Sequence, residues 1–302
     1  MAWKPQPLMP GDAVAVIAPA KFVAPEEIEA GIDCVERRGY QVLLAPHLFE
    51  RDGLFSADDA KRLEDLLWAW RSPAKAVLCA RGGYGSQRLL AQMPWRFISA
   101  TPKWLVGYSD ITALHCGFLR RQMVVVHGPV LSQLGRTDDD RYGENSLFAI
   151  LEGSGRGVLT CAEPNPILWG SGKVTGRLVG GNLSLLCALL GTPEEIDARG
   201  AILLLEDVEE EPYRLDRMLS QLYLAGKLQA AVGIAIGTFT GCLPSDWAPD
   251  ITATDVVVDW LKRVQKPALM GLPIGHGTYN SAVVLGSRAT LDLEQRSLSF
   301  IL

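Results

Sequence analysis

A serine at a strand-to-helix turn can act as a nucleophile when a general base and backbone N–H donors stand close to it. Residues 106–118, VGYSDITALHCGF, put Ser109 at such a turn: an apolar run ends at Gly107 and a helical pattern opens at Asp110. The placement is that of a nucleophile elbow, although the G-x-S-x-G spelling needs glycine at 111, where Ile111 stands. The helix N-terminus behind the serine offers N–H groups to a developing oxyanion. Ser and Asp are also preferred helix caps, so this motif alone leaves a capping role open.

Other segments carry complementary groups. CARGGYGSQRLL (79–90) reads as strand, glycine-rich turn, helix; Gly82 and Gly83 let backbone approach a ligand, and Arg81 or Arg88 adds a cation able to hold a carboxylate. The loop lacks the spacing of a dinucleotide fingerprint and has no G-K-[ST], so nucleotide binding is a weak reading and a plain tight turn is the bland one. Glu206 ends the apolar run of LLLED, where a carboxylate can face a cleft while partly desolvated; Glu209, Glu210, Glu211, Arg214, Asp216 and Arg217 read as a solvated helix start. His276, in GLPIGHGTYN (271–280), is the only one of 4 histidines with glycine on both sides. His115 and His127 fall on a helix and a strand end and read as packed residues, while Trp169 before Gly170 is a candidate to flank a ligand. No H-E-x-x-H or H-x-H is present, and a metal centre is not expected.

The elements that must position these groups alternate. Strands at 12–19, 41–46, 74–80, 104–107 and 123–128 are separated by helices at 26–40, 57–71, from Ser86 and from Asp110 to Arg121. Strands apolar on both faces and separated by helices imply a parallel sheet with covered faces. Residues 130–170 are rich in turn formers and read as a linker and hinge. A second unit follows, with strands in KVTGRLVG, AILLLED and AVGIAIGTF, helices near 182–190, 213–225 and 253–264, and a β-rich tail whose LDLEQRSLSFIL alternates like a half-buried antiparallel edge. The expected class is therefore α/β: an N-terminal parallel-sheet domain over 1–150 and a smaller, β-rich α/β C-terminal domain over 165–302.

Composition narrows the setting. The chain has 302 residues, 48% hydrophobic, with 29 Lys plus Arg against 34 Asp plus Glu and no basic run, which makes a nucleic-acid partner unexpected. Its 6 cysteines stand singly among apolar neighbours, as reduced buried thiols do. No apolar run reaches the roughly 18 residues of a membrane helix, and the N-terminus lacks the frame of a signal peptide. A cytoplasmic protein without membrane partners is expected.

RGGYGSQRLL (81–90), GYSDITALHCG (107–117), GRLVGGNLSLLCALLGTP (176–193), LLEDVEEEPYRLDRMLSQLYLAG (204–226) and GLPIGHG (271–277) together closely resemble, in order and spacing, the LD-carboxypeptidase family of serine peptidases. That family also includes the microcin C immunity proteins as a divergent branch. The resemblance implies a Ser-Glu-His triad of Ser109, Glu206 and His276, split across the cleft between the two domains, with no cofactor. It implies oxyanion donors at the backbone N–H groups of Asp110 and of a loop glycine, Gly83, with the Asp110 side chain also capping its own helix. Choosing Glu206 over Asp207 rests on the family block, since only one of the pair can face the cleft on an alternating strand. The implied substrate is the cytoplasmic murein tetrapeptide, cut between meso-diaminopimelate and terminal D-alanine in cell-wall recycling, by an enzyme expected to be a homodimer. Arg81 and Gly82 are the candidate contacts to the substrate. The nearest rival is an immunity-type amidase acting on aminoacyl-nucleotide conjugates, disfavoured by the compact C-terminal half; a non-catalytic two-domain binding protein is the rival of another class.

Overall fold

The computed structural model describes residues 4–136, 140–161 and 166–302. Its first sheet is built from short aliphatic strands: β1 (Ala13–Ile17), β2 (Gln41–Leu44), β3 (Ala76–Cys79), β4 (Trp104–Gly107) and β5 (Val125–His127). All but β2 are buried along their whole length. Helices α1 (Glu29–Arg37), α2 (Asp59–Arg71), α3 (Trp95–Ala100) and α4 (Thr112–Arg120) lie in the connections. Local chemistry sets their ends. The Asp58 carboxylate accepts from Lys61 N at the start of α2, and Gly39 takes a φ of 86° just beyond α1, the left-handed geometry that closes a helix C-terminus. The spatial order is β2-β1-β3-β4-β5, all parallel. The order reverses between β1 and β3, and in such sheets ligands bind outside the carboxyl ends of the strands at that point.

The rest of the chain supplies α5 (Asp140–Leu151), β6 (Arg156–Thr160), β7 (Leu168–Trp169), β8 (Lys173–Asn182), α6 (Leu183–Ala188), β9 (Ala201–Val208), α7 (Pro212–Leu224), α8 (Lys227–Ala230), β10 (Gly233–Thr240), α9 (Ala253–Val264), β11 (Ala268–Met270), β12 (Val283–Leu285), β13 (Arg288–Asp292) and β14 (Ser297–Ile301). The second sheet runs β6-β14-β13-β8-β9-β10-β11-β7. Its centre, β8 to β11, is parallel and its flanks are antiparallel.

Several expectations are corrected. The stretch read as a linker carries α5, β6 and β7, with 137–139 and 162–165 outside the described residues; Gly143, Glu144, Asn145 and Ser146 lie inside α5, and Gly153 and Gly155, both at positive φ, follow it. The two sheets are also tied elsewhere. Asn182 N donates to Thr112 Oγ1 at 3.1 Å, Arg177 Nη2 to Leu119 O at 3.2 Å and Arg121 Nη2 to Glu194 Oε1 at 2.9 Å. β12, late in the chain, joins the first sheet antiparallel to β5. β14 is not an edge: it pairs with β13 on one side and β6 on the other, and the true edge β6 leaves Val158 66% exposed. The helix expected from Ser86 is a 3-10 segment, Ser86–Gln92. Among the described residues no helix is long and apolar enough to cross a membrane.

Candidate active site

Ser109 follows β4 after Tyr108 and opens a 3-10 turn, Ser109–Ile111, that runs into α4. Its φ is 61°, in the left-handed region that a non-glycine residue enters rarely and at an expense of roughly 1–3 kcal/mol, a strain that clusters at functional sites. The turn lifts Ser109 out of the buried strand: Gly107 and Tyr108 are buried, and Ser109 is half-buried. The loop after β3 comes within contact of it. A Cβ placed on Gly82 would stand 3.0 Å from Ser109 Cβ and 3.3 Å from Ser109 Oγ, so glycine there admits the close approach. Gly83, with φ 115°, turns instead against Lys21, whose Cβ would lie 2.5 Å from an added Cβ.

Asp110 is buried, and its carboxylate caps a different element from the one expected. It accepts from Gly85 N at 3.2 Å and Ser86 N at 2.8 Å, while Ser86 Oγ donates to Asp110 O at 2.7 Å. The side chain thus pins the glycine loop to the serine turn, and α4 has no side-chain cap. The Arg81 guanidinium is already engaged, with Nη1 at 2.7 Å from Glu27 Oε2.

In the second sheet, β9 carries Glu206 and Asp207 just before its last residue, Val208, and both are buried. The two side chains go separate ways, as alternation requires. Asp207 accepts from Asn182 Nδ2 at 2.9 Å, Ser184 N at 2.9 Å and Ser184 Oγ at 2.7 Å. Glu206 instead places Oε2 2.7 Å from Nδ1 of His276. With the carboxylate as acceptor, Nδ1 carries the proton and Nε2 keeps its lone pair, the tautomer a general base needs. Burial holds the Glu206 carboxyl above its ordinary range, and the imidazole bonded to it pulls the other way.

Glycines make this pairing fit. Gly275 has φ 106°, and a Cβ on it would fall 2.6 Å from Glu206 Oε2 and 2.9 Å from Glu206 Cβ. On the other side of His276, a Cβ on Gly277 would meet Thr238 Cγ2 at 2.7 Å. Gly275 N donates to Asn280 Oδ1 at 3.1 Å, closing the loop.

Some residues of the site were not singled out from the sequence. The Tyr108 ring lies 4.7 Å from that of His276, tilted by 49°, and its hydroxyl accepts from Gln133 Nε2 at 2.8 Å. Asn182 holds Asp207, and Thr112 meets Gly181, where an added Cβ would be 2.7 Å from Thr112 Oγ1. An aromatic next to the serine and paired glycines before an asparagine were the available signals. His115 and His127 are fully buried, with ring nitrogens that find no hydrogen-bond partner among the described residues. Burial drives the His115 imidazole down to about 3 and, with the neighbouring histidines, that of His127 well below its ordinary value, so both are neutral core rings. Trp169 sits on β7 at an edge of the second sheet, two strands beyond β10 and away from Glu206.

The family model for the LD-carboxypeptidase N-terminal domain matches residues 14–128, and that for the LD-carboxypeptidase C-terminal domain matches 175–291. The chain belongs to the LD-carboxypeptidase family. A probable murein peptide carboxypeptidase of Bacillus subtilis is 39% identical over 302 residues, covering 98% of this chain and 93% of its own length. The crystal structure of muramoyltetrapeptide carboxypeptidase from Oxalobacter formigenes superposes with a TM-score of 0.86 at 28% identity, covering 95% of this chain and 97% of that one. MccF in complex with glutamyl sulfamoyl guanosine shares the fold, with a TM-score of 0.89 at 22% identity over 98% of this chain and 97% of its own.

Proposed function

We propose that this LD-carboxypeptidase is a serine hydrolase that releases terminal D-alanine from the murein tetrapeptide L-Ala-γ-D-Glu-meso-diaminopimelate-D-Ala, with Ser109, His276 and Glu206 as its triad. The observation that carries the reading is the 2.7 Å pairing of His276 Nδ1 with a buried glutamate, the His276 ring lying 4.7 Å from that of Tyr108, the residue before a serine held in a strained turn. Ser109 Oγ attacks the scissile carbonyl while His276 Nε2 takes its proton and later returns it to the leaving amine. Glu206 fixes the tautomer by accepting from Nδ1–H and stabilises the imidazolium, and the imidazole beside it offsets part of what burial costs the carboxylate. The backbone N–H groups of Asp110 and Gly83 are the proposed oxyanion donors, with the Asp110 carboxylate keeping the loop against the serine turn.

The fold is common to both kinds of relative, and the sequence, 39% identical to a murein peptide carboxypeptidase against 26% to an MccF self-immunity protein, favours a peptide over an aminoacyl-nucleotide. The cysteines are free thiols, which suits a reducing cytoplasm and a recycling role. Arg81 is the proposed partner of the substrate's terminal carboxylate, shared with Glu27; Arg81→Ala then raises KM with kcat little changed. The test is D-alanine release from the tetrapeptide by purified protein in EDTA, with Ser109→Ala as control and an aminoacyl sulfamoyl adenosine as rival substrate. Release by the wild type alone supports the reading. Turnover of only the nucleotide conjugate, or release that persists in Ser109→Ala, contradicts it.

A further inference from the structure

A single hydrogen bond at Nδ1 fixes one end of an imidazole but leaves the ring free to swing about that contact, and the His276 loop is flanked by glycines that give it little restraint of their own. Something else must set the plane of the ring. The only ring contact to His276 among the described residues comes from Tyr108, the residue next to the candidate nucleophile, at 4.7 Å between centroids. Tyr108 is itself held on three sides. Its backbone continues from β4, its hydroxyl accepts from Gln133 Nε2 at 2.8 Å, and its ring meets the buried His127 ring edge-on at 5.9 Å. Gln133 is oriented in turn, because Val130 N donates to its Oε1 at 3.3 Å.

We propose that Tyr108 is a positioning residue for His276: pinned by Gln133 and backed by His127, its phenol ring sets the plane in which Nε2 is presented to Ser109. The proposal rests on the reading of His276 as the base. It means that the segment carrying the nucleophile also aligns the base held by Glu206 of the other sheet, so that correct seating of the two halves and correct alignment of the proton acceptor are one event. The Tyr108 hydroxyl plays no part as an acid: burial and the nearby Glu206 push it up to about 12, which keeps it neutral throughout the working range. His127 behind it is neutral as well, so the platform brings no charge to the imidazole other than that of Glu206.

The test uses the full-length enzyme with Tyr108→Leu, Tyr108→Phe, Gln133→Leu and the Phe/Leu double variant. Misaligning a catalytic group by about 1 Å can lower a rate by about 100-fold. Tyr108→Leu is therefore expected to lower kcat by about 10- to 100-fold with KM changed less than about twofold. Tyr108→Phe retains the ring and restores most of the rate, and the double variant is no worse than Gln133→Leu alone. The proton NMR signal of the His276 Nδ1–H, identified by its loss in His276→Ala, broadens in Tyr108→Leu and persists in Tyr108→Phe. An unchanged signal and kcat in Tyr108→Leu, or a loss expressed only in KM, overturns the proposal. Should Tyr108→Leu not fold, Gln133→Leu decides it: a fall in kcat of about two- to tenfold at unchanged KM, not deepened in the double variant, supports the proposal, and a wild-type kcat in Gln133→Leu overturns it. The NMR signal reads ring alignment whether or not Ser109 is the nucleophile, so failure of the triad reading, seen as an active Ser109→Ala, is distinguished from failure of this one.

Discussion

The two halves of the candidate site are made in different ways. The serine half is local: one strand, β4, one strained turn and one helix, α4, place Ser109, and a single neighbouring loop completes its surroundings. The Glu206–His276 half is assembled from segments 70 residues apart, and no regular element carries the histidine. Its geometry depends on small residues that leave room, Gly275 against Glu206 and Gly277 against Thr238. A strand-to-helix turn tolerates modest crowding because its hydrogen bonds continue on either side. A loop defined by what is missing from its glycines has no such reserve.

The comparison breaks most visibly at Gly275. Gly275→Ala forces a Cβ to 2.6 Å from Glu206 Oε2 at a φ of 106°, so both contact and backbone are strained. We expect kcat/KM for the tetrapeptide to fall by about 100-fold or more, and thermal melting to show a loss on the order of 1–3 kcal/mol. Gly82→Ala probes the serine half. Its added Cβ lies 3.0 Å from Ser109 Cβ without a positive φ. A fall of about tenfold in kcat with Tm nearly unchanged is expected, since the displacement required is a few tenths of an ångström. Equal effects at the two glycines would erase the distinction drawn between the halves.

Asp65 sharpens it from outside the site. Burial raises its carboxyl to about 6, while His47 N donates to it at 3.2 Å. The folded state therefore binds more protons than the unfolded chain between the ordinary value of 3.8 and about 6, and stability falls as pH rises through that window. Asp65→Asn removes the ionisation. Its Tm at pH 7.5 should exceed that of the wild type by about 2–4 °C, the advantage should vanish below the unfolded carboxyl range, and kcat should be unaffected. A change in kcat would mean that global stability, and not local fit, governs the site.

How much of this was legible follows the same division. The elbow at Ser109 could be read because strand, turn and helix are contiguous and each has its own periodicity. Glu206 and His276 were reached through the family blocks, since nothing in the spacing of 206 and 276 says that the end of β9 meets the loop after β11. Strand partnership was the least legible. β12 is three residues whose place beside β5 depends on folding across the whole chain, and β14 alternates like an edge although β6 covers it. The turn-rich stretch around α5 and β6 read as a linker because short elements with many glycines leave little periodic signal. Asp110 was expected to cap its own helix, the nearest set of free N–H groups, yet the loop after β3 brings Gly85 N and Ser86 N within reach first.

The central claim is that groups from the two halves act as one catalytic unit. Measuring kcat for Ser109→Ala, His276→Ala and the double variant on the tetrapeptide, in enzyme of matched Tm, tests it most directly. Groups that act as a unit are strongly non-additive, so each single variant should lose nearly all activity and the double should be no worse than either. Losses that multiply in the double variant, or a Ser109→Ala enzyme within about tenfold of the wild type, would contradict the account, because independent contributions add in free energy.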